Sequence, residues 1–212
     1  MALPTAAPPS RTTFVLELLR SGILNGDFPA GRALVESELA VELGVSKTPV
    51  REALKTLEGA GLVVIRPYAG ASVRSLTEAE VEAIYDMRLL IEPEAVRRSI
   101  RNGVDVGAAR AALDRAASAP DASGRSTANR DFHRILFAAC GNPILTKTLD
   151  DLRDQIALVS VSAWARTASW QKEADEHARI LEAAEAGRAD EAAALVAAHI
   201  DDFSRRQSRE EP

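Results

Sequence analysis

The chain carries only three histidines, and each falls inside a stretch that reads as a helix: His133 in ANRDFHRILFAACGNP, His177 in EADEHARILEAAEAG and His199 in ADEAAALVAAHIDDF. Imidazole is a common transition-metal ligand, and a helical bundle that turns histidines inward is one way to build a metal site. Asn129 stands one helical turn before His133 and shares its face, whereas Asp131, two residues away, lies across the helix. A lone helical histidine is more often a satisfied core or surface group than a ligand. Spacing does not say whether these three converge. A second set of chemical groups sits in SKTPVREALK, where Ser46, Lys47, Thr48, Arg51 and Lys55 crowd the first turns of another predicted helix. Hydroxyls there can bond phosphate, and the cations can meet phosphate or guanine edges. A solvated helix face would read the same way.

The elements that must position these groups follow from apolar spacing. Residues 12–25 place Val15, Leu18, Leu19 and Ile23 on one helical stripe, closed by Gly26 and Pro29. A short helix over 36–43 ends at Gly44. Ser46 then opens the next helix as its N-cap, with Pro49 in the first turn, where a missing N–H costs nothing. Two helices joined by so tight a glycine turn form a helix-turn-helix. Val50, Ala53, Leu54 and Leu57 supply its buried side. Val63 and Ile65 begin a strand, PYAG turns, and Ala71 to Arg74 return, which makes a wing.

From Thr77 the pattern is helical throughout. Thr77 and Glu80 form a capping box. The helix they open runs to about residue 102, with Ile84, Met87, Leu90 and Ile91 as its apolar side and a kink at Pro93. Further helices are predicted over 105–118, 125–140, 143–168, 170–186 and 190–207, with 118–124 a loop. The fold class is therefore mainly α: an N-terminal winged helix-turn-helix (11–75) and a C-terminal all-α helical bundle (76–212), preceded by a disordered arm over residues 1–10.

Bulk properties narrow the class further. A single cysteine, Cys140, excludes an internal disulfide and fits a small buried side chain in a reducing cytoplasm. No apolar run approaches the roughly 18 residues of a membrane span. The net charge of −5 divides unevenly. Residues 1–75 hold eight basic and seven acidic groups, leaving eighteen basic against twenty-four acidic for the remainder. The acidity thus belongs to the second domain, and a near-neutral first domain binds DNA if its cations share one face.

The run LAVELGVSKTPVREALKTLEGAGLVVIRPYAGASV closely resembles the DNA-binding domain of GntR-family regulators, over about residues 12–75. That resemblance implies base or phosphate contacts from Ser37, Lys47, Thr48, Pro49 and Arg51, with Gly70 of the wing approaching the minor groove. Lys47 stands where the family usually has arginine, and Ser37 where many fatty-acid-responsive members have one. Lysine grips guanine less rigidly than arginine, so the operator is expected to deviate from the usual one. NRDFHRILFAACGNPIL, EHARILEAAEAGRADEAA and AAHI resemble, in order, the FCD sensor domain of that branch. This implies a divalent transition metal, zinc or nickel, held by Asn129, His133, His177 and His199. Asn in place of the family's frequent Asp leaves the ion its full charge and lowers intrinsic metal affinity. Arg88 occupies a position that often lines the effector cavity, where it would pair with a carboxylate; the alternative is a surface ion pair with Asp86 or Glu92. Trp164 and Trp170 could line the cavity but, as large apolar groups, are expected in the core, and Arg205, Arg206 and Arg209 on a solvated helix end.

The expected function is a cytoplasmic, homodimeric transcription regulator, a repressor on family grounds, that binds double-stranded operator DNA under control of a small organic acid. Two alternatives differ. The histidine cluster is purely structural or a metal-free pocket, or the second domain is a metal-dependent hydrolase in which Asp131, Asp175 or Glu176 serves as base.

Overall fold

The computed structural model describes residues 10–164 and 170–209, and the side chains of 10–158 and 170–205 among them. Residues 1–9 of the expected arm, segment 165–169, and the side chains of Trp164, Arg206 and Arg209 lie outside the described residues. The chain divides into two compact units between Ser75 and Leu76.

In the first unit, Ser10 belongs to no arm. Its hydroxyl accepts from the backbone N–H of Thr13 at 3.1 Å and caps α1 (Arg11–Asn25), which Gly26 ends at φ +87°. Val15, Leu19 and Ile23 are buried, while Leu18, at the edge of the stripe, is 37% exposed. After β1 (Ala33–Leu34), α2 (Glu36–Glu42) and α3 (Lys47–Gly59) are separated by four residues. Gly44 makes that reversal at φ +63°, a conformation most side chains avoid. Ser46 holds the N-cap position with extended backbone, but its hydroxyl makes no capping bond, contrary to expectation.

Strands β2 (Val63–Arg66) and β3 (Gly70–Val73) form the wing, and β1 adds a third strand in the order β1-β3-β2. Two residues carry too little alternation for β1 to be read from sequence; it exists because Ala33 and Leu34 pair with Ser72 and Ala71. Val50, Ala53, Leu54 and Leu57 are buried with Leu62, Val63 and Val73. Glu58 accepts from the N–H of Ile65 at 3.1 Å, fastening the wing to α3.

The second unit contains α4 (Glu78–Arg101), α5 (Val106–Ser118), α6 (Ala122–Ala138), α7 (Pro143–Trp164), α8 (Trp170–Glu185) and α9 (Ala189–Arg209). The capping box closes as expected, with Glu80 N–H on the Thr77 hydroxyl and Thr77 N–H on the Glu80 carboxylate at 2.8 Å. Helix α4 continues through Pro93 to Arg101. Helix α6 starts three residues earlier than the sequence suggests, because Asp121 caps it by accepting from Gly124 N–H.

The inward face of α4 differs from the apolar stripe expected for it. Ile84 is buried, but Met87 is 43% and Leu90 73% exposed, while Arg88 and Glu92 point inward. At the far end, Ser99 and Asn102 satisfy the backbone N–H and carbonyl of Ala139, locking the end of α6 against α4. Phe132, Leu136 and Phe137 of α6 then pack in the core with Leu149, Ile180, Val196 and Ile200. Cys140 is buried there, as its side chain suggests. Among the described residues, no helix is long and apolar enough to cross a membrane.

Tyr68, at the wing tip, adopts φ +64° and is fully solvent-exposed, so its ring gains no packing for that strain. Tyr68→Asn keeps a residue that tolerates the left-handed region. It is expected to stabilise the first unit by up to about 1 kcal/mol, read as a higher urea midpoint at unchanged slope.

Candidate metal centre and nucleic-acid interface

Three helices bring the histidines together. His133 on α6, His177 on α8 and His199 on α9 are 1%, 5% and 7% exposed. Their Nε2 atoms face one another: His133 to His177 is 3.2 Å, and His177 to His199 is 3.3 Å. Burial holds all three below the ordinary imidazole pKa. Arg153 depresses His133 further, and the neighbouring histidines do so for His177; for His199 the Glu176 carboxylate partly offsets burial. The rings are therefore neutral at pH 7, with at most one proton available per ring.

For His199 that proton is already spent. Its Nδ1 donates to Oε2 of Glu176 at 2.6 Å, which leaves a lone pair on Nε2 pointing into the cluster. Asn129, one turn below His133, has a buried side-chain oxygen without a hydrogen-bond partner. A converging set of imidazole lone pairs beside an orphan carbonyl oxygen is the donor set a transition cation satisfies. The residues present fit such an ion.

A second polar cluster adjoins the first. Glu92, 0% exposed, has Arg88 Nε on Oε2 at 2.9 Å and Arg153 Nη1 on Oε1 at 2.6 Å. His133 Nδ1 lies 3.4 Å from Oε1, a long contact. Burial disfavours the ionised carboxylate, but the two arginines and His133 hold its pKa well below the usual range. Burial lowers the Arg153 guanidinium to about 9 against the pull of Glu92, and its Nε is buried without a hydrogen bond. Arg88 is thus a buried pair with Glu92, rather than a surface one.

Two hollows meet at Asn129. One, of about 40 Å³, is lined by Arg88, Arg153, Ser126 and Asn129. The other, about 610 Å³, is an open groove between α5, α6 and α8 whose lining includes Asn129, His177, Leu113 and Leu181. Trp170 borders this groove half-exposed, with the Arg125 guanidinium 5.4 Å above its ring, and is no core residue. Asp131 is bound to Arg115 at 3.0 Å. Arg205 pairs with Asp201 on the exposed end of α9.

In the first unit, Ser37, Ser46, Lys47, Thr48, Arg51, Lys55 and Gly70 are all exposed. Pro49 is buried, as is Val50. Arg51 forms a fork with Glu36 of α2 (Nε to Oε1 3.0 Å, Nη2 to Oε2 2.7 Å), and Nη1 takes no part in it. That bond holds the Glu36 carboxyl below its ordinary pKa. Lys55 pairs with Glu52 at 3.3 Å. Sequence reasoning missed the Glu36 partner, and it missed Arg153 and Glu176 as supports of the histidine cluster. Arg88 and Glu92 at i, i+4 gave a visible signal; Arg153 and the Glu176–His199 bond, between distant segments, gave none.

A winged helix-turn-helix followed by a helical bundle with inward histidines defines a class, the two-part DNA-binding regulators. The family model for bacterial regulatory proteins of the gntR family matches residues 11–73, and that for the FCD domain matches residues 83–202. The chain belongs to the GntR family and carries an FCD domain. The chain is 28% identical over 200 residues to a probable D-xylose utilization operon transcriptional repressor of Paenarthrobacter nicotinovorans, covering 92% of this chain and 86% of that one. A GntR transcriptional regulator from Rhodococcus sp. RHA1 superposes with a TM-score of 0.80 at 26% identity, covering 96% and 100% of the two chains. McbR/YncC of E. coli shares the fold with a TM-score of 0.84 at 21% identity, covering 95% and 100%.

The depressed histidine pKa values set the pH response of metal-free protein. The unfolded chain takes up protons near pH 6.5 and the folded one does not, so stability is full above that value and falls as pH drops below it. Each histidine contributes at most about 1.4 kcal/mol per pH unit. Chelated protein should lose urea stability between pH 7 and 5, and His177→Gln should flatten that slope.

Proposed function

We propose that this chain is a homodimeric repressor that releases its operator in response to a small organic acid, bound at a metal-containing site of the FCD domain. The observation that carries the reading is the meeting of three neutral histidine Nε2 atoms beside the unpartnered oxygen of Asn129. Those four residues would hold the ion, zinc or nickel by their chemistry. When bound, the ion supplies positive charge and open coordination positions that a carboxylate can take.

The chain's own residues do the rest. Glu176 fixes the tautomer of His199. Arg88 and Arg153 provide guanidinium donors at the neighbouring cavity, and bidentate arginine recognition suits a carboxylate. On the DNA side, Lys47 and Thr48 lie at the N-terminus of α3, where free backbone N–H groups and the helix dipole favour phosphate. Ser37, Ser46, Arg51 and Lys55 extend that exposed face, and Gly70 offers close backbone approach in the wing. A dimer would set two such helices in successive major grooves, about one helical turn apart. Exposed Met87 and Leu90 on α4 suit a subunit contact. The hydrolase reading weakens, since Glu176 is engaged by His199 and Asp131 by Arg115, while Asp175 is exposed away from the buried histidines.

Metal analysis of wild type beside His177→Ala tests the sensing half. About one zinc or nickel per chain, lost in the variant, is expected; none in either after metal addition would reduce the cluster to an ordinary pocket.

For the DNA half, Arg51→Ala should weaken binding to operator selected from random duplexes by roughly 5–150-fold, with the dimer intact. Wild-type affinity should fall with salt at a log–log slope of about −0.9 per phosphate contacted. Unchanged affinity or a flat salt response would refute the assigned DNA face.

A further inference from the structure

The Glu92 carboxylate is placed as a bound carboxylic acid would be. Each of its oxygens takes a different arginine, Oε2 that of α4 and Oε1 that of α7, and it sees no solvent. Arg88 belongs to the same helix as Glu92, so their pair fastens nothing outside α4. The bond to Arg153, by contrast, joins α4 to α7. The adjoining hollow, about 40 Å³ and partly open, is small beside the roughly 150 Å³ that takes a benzene-sized ligand. Yet Arg153 still offers a buried Nε with no partner. An acid arriving at these arginines therefore meets donors whose best positions are already taken by the protein itself.

We propose that Glu92 is a resident carboxylate ligand of Arg88 and Arg153, and that an effector carboxylate binds by displacing it, which unfastens α4 from α7. This rests on the carboxylate-responsive reading given above, and it makes Glu92 the residue that sets both which ligands are admitted and how tightly. A neutral ligand cannot replace Glu92, because it would leave two buried guanidinium groups without a counter-charge. A carboxylate supplies that counter-charge, and the displaced Glu92 side chain, still tethered to α4, then turns out to solvent or takes up a proton. Glu92 also lies 3.4 Å from Nδ1 of His133, so its departure removes a negative charge from beside one histidine, and carboxylate binding is felt at the cluster as well.

The probe is acetate, compared with chloride at equal ionic strength, on full-length protein kept metal-free with chelator so that coordination to an ion cannot contribute. Thermal unfolding and calorimetry are run on wild type, Glu92→Gln and Glu92→Ala. Both variants should be stabilised by acetate and bind it at least about tenfold more tightly than wild type, one charge-assisted hydrogen bond being enough for that factor. Adding Arg153→Met to Glu92→Gln should abolish the gain. If the variants fail to fold in chloride, acetate should restore them.

An acetate response equal to or below that of wild type overturns the proposal, as does a loss of fold that acetate does not repair. Release of the operator by carboxylates is scored separately on wild-type protein. The effector reading falls on that assay alone, and the role of Glu92 on the acetate comparison alone.

Discussion

An ionised carboxylate buried from solvent has to be compensated where it stands, and Glu92 sets that requirement for the whole helical domain. The uncompensated cost of such a charge is several kcal/mol, so Arg88 and Arg153 must be inside with it. Their presence fixes which face of α4 turns inward. It also explains why Met87 and Leu90, the residues a hydrophobic pattern would bury, are left outside. Arg153 brings α7 against α4, and its field helps to keep His133 neutral. The polar centre thus constrains the bundle alongside the apolar one built on Phe132, Leu136 and Phe137.

The histidine cluster depends on a related economy of protons. Three neutral rings with Nε2 atoms 3.2 and 3.3 Å apart can place at most a few protons between them. Glu176 removes one from consideration by holding it on the far side of His199. What remains is a concentration of lone pairs in a site from which water is largely excluded. Such an arrangement is poor as packing and good as ligation, and the orphan oxygen of Asn129 has the same character. The open groove beside His177 and Asn129 is by far the roomier of the two hollows that reach these groups.

What was legible in the sequence followed interaction range. Caps and turns are local, so the Thr77–Glu80 box, Gly26 and Gly44 could be read directly, and so could the inward face of α3, where Val50, Ala53, Leu54 and Leu57 repeat at helical spacing. The two-residue β1 could not, because it owes its existence to a partner some forty positions away. The histidines and Asn129 were recognisable as a set through family resemblance, while their spacing left the question open. The residues that support them were hidden for a physical reason. Arg153 is one arginine among many until Glu92 stands opposite, and Glu176 looks like a surface acid until His199 arrives from another helix. Pro49, expected at the DNA face, is buried in the first turn of α3, a burial its type alone does not announce.

The same logic bears on how a ligand could shift such a protein between two states. A ligand acts only through its difference in affinity for them, and moving a population from 1:99 to 99:1 needs about 5.5 kcal/mol. Breaking a buried ion pair without replacing it costs roughly 3–5 kcal/mol, which would consume most of that difference. Replacing one carboxylate by another keeps the two guanidinium groups paired, and the cost that remains is that of carrying the displaced Glu92 carboxylate to solvent or protonating it. The helix that would be released is α4, whose first turn is capped by Thr77, two residues after the first unit ends. A change in the hold on α4 therefore acts on the segment of chain that leads directly to the DNA-binding unit.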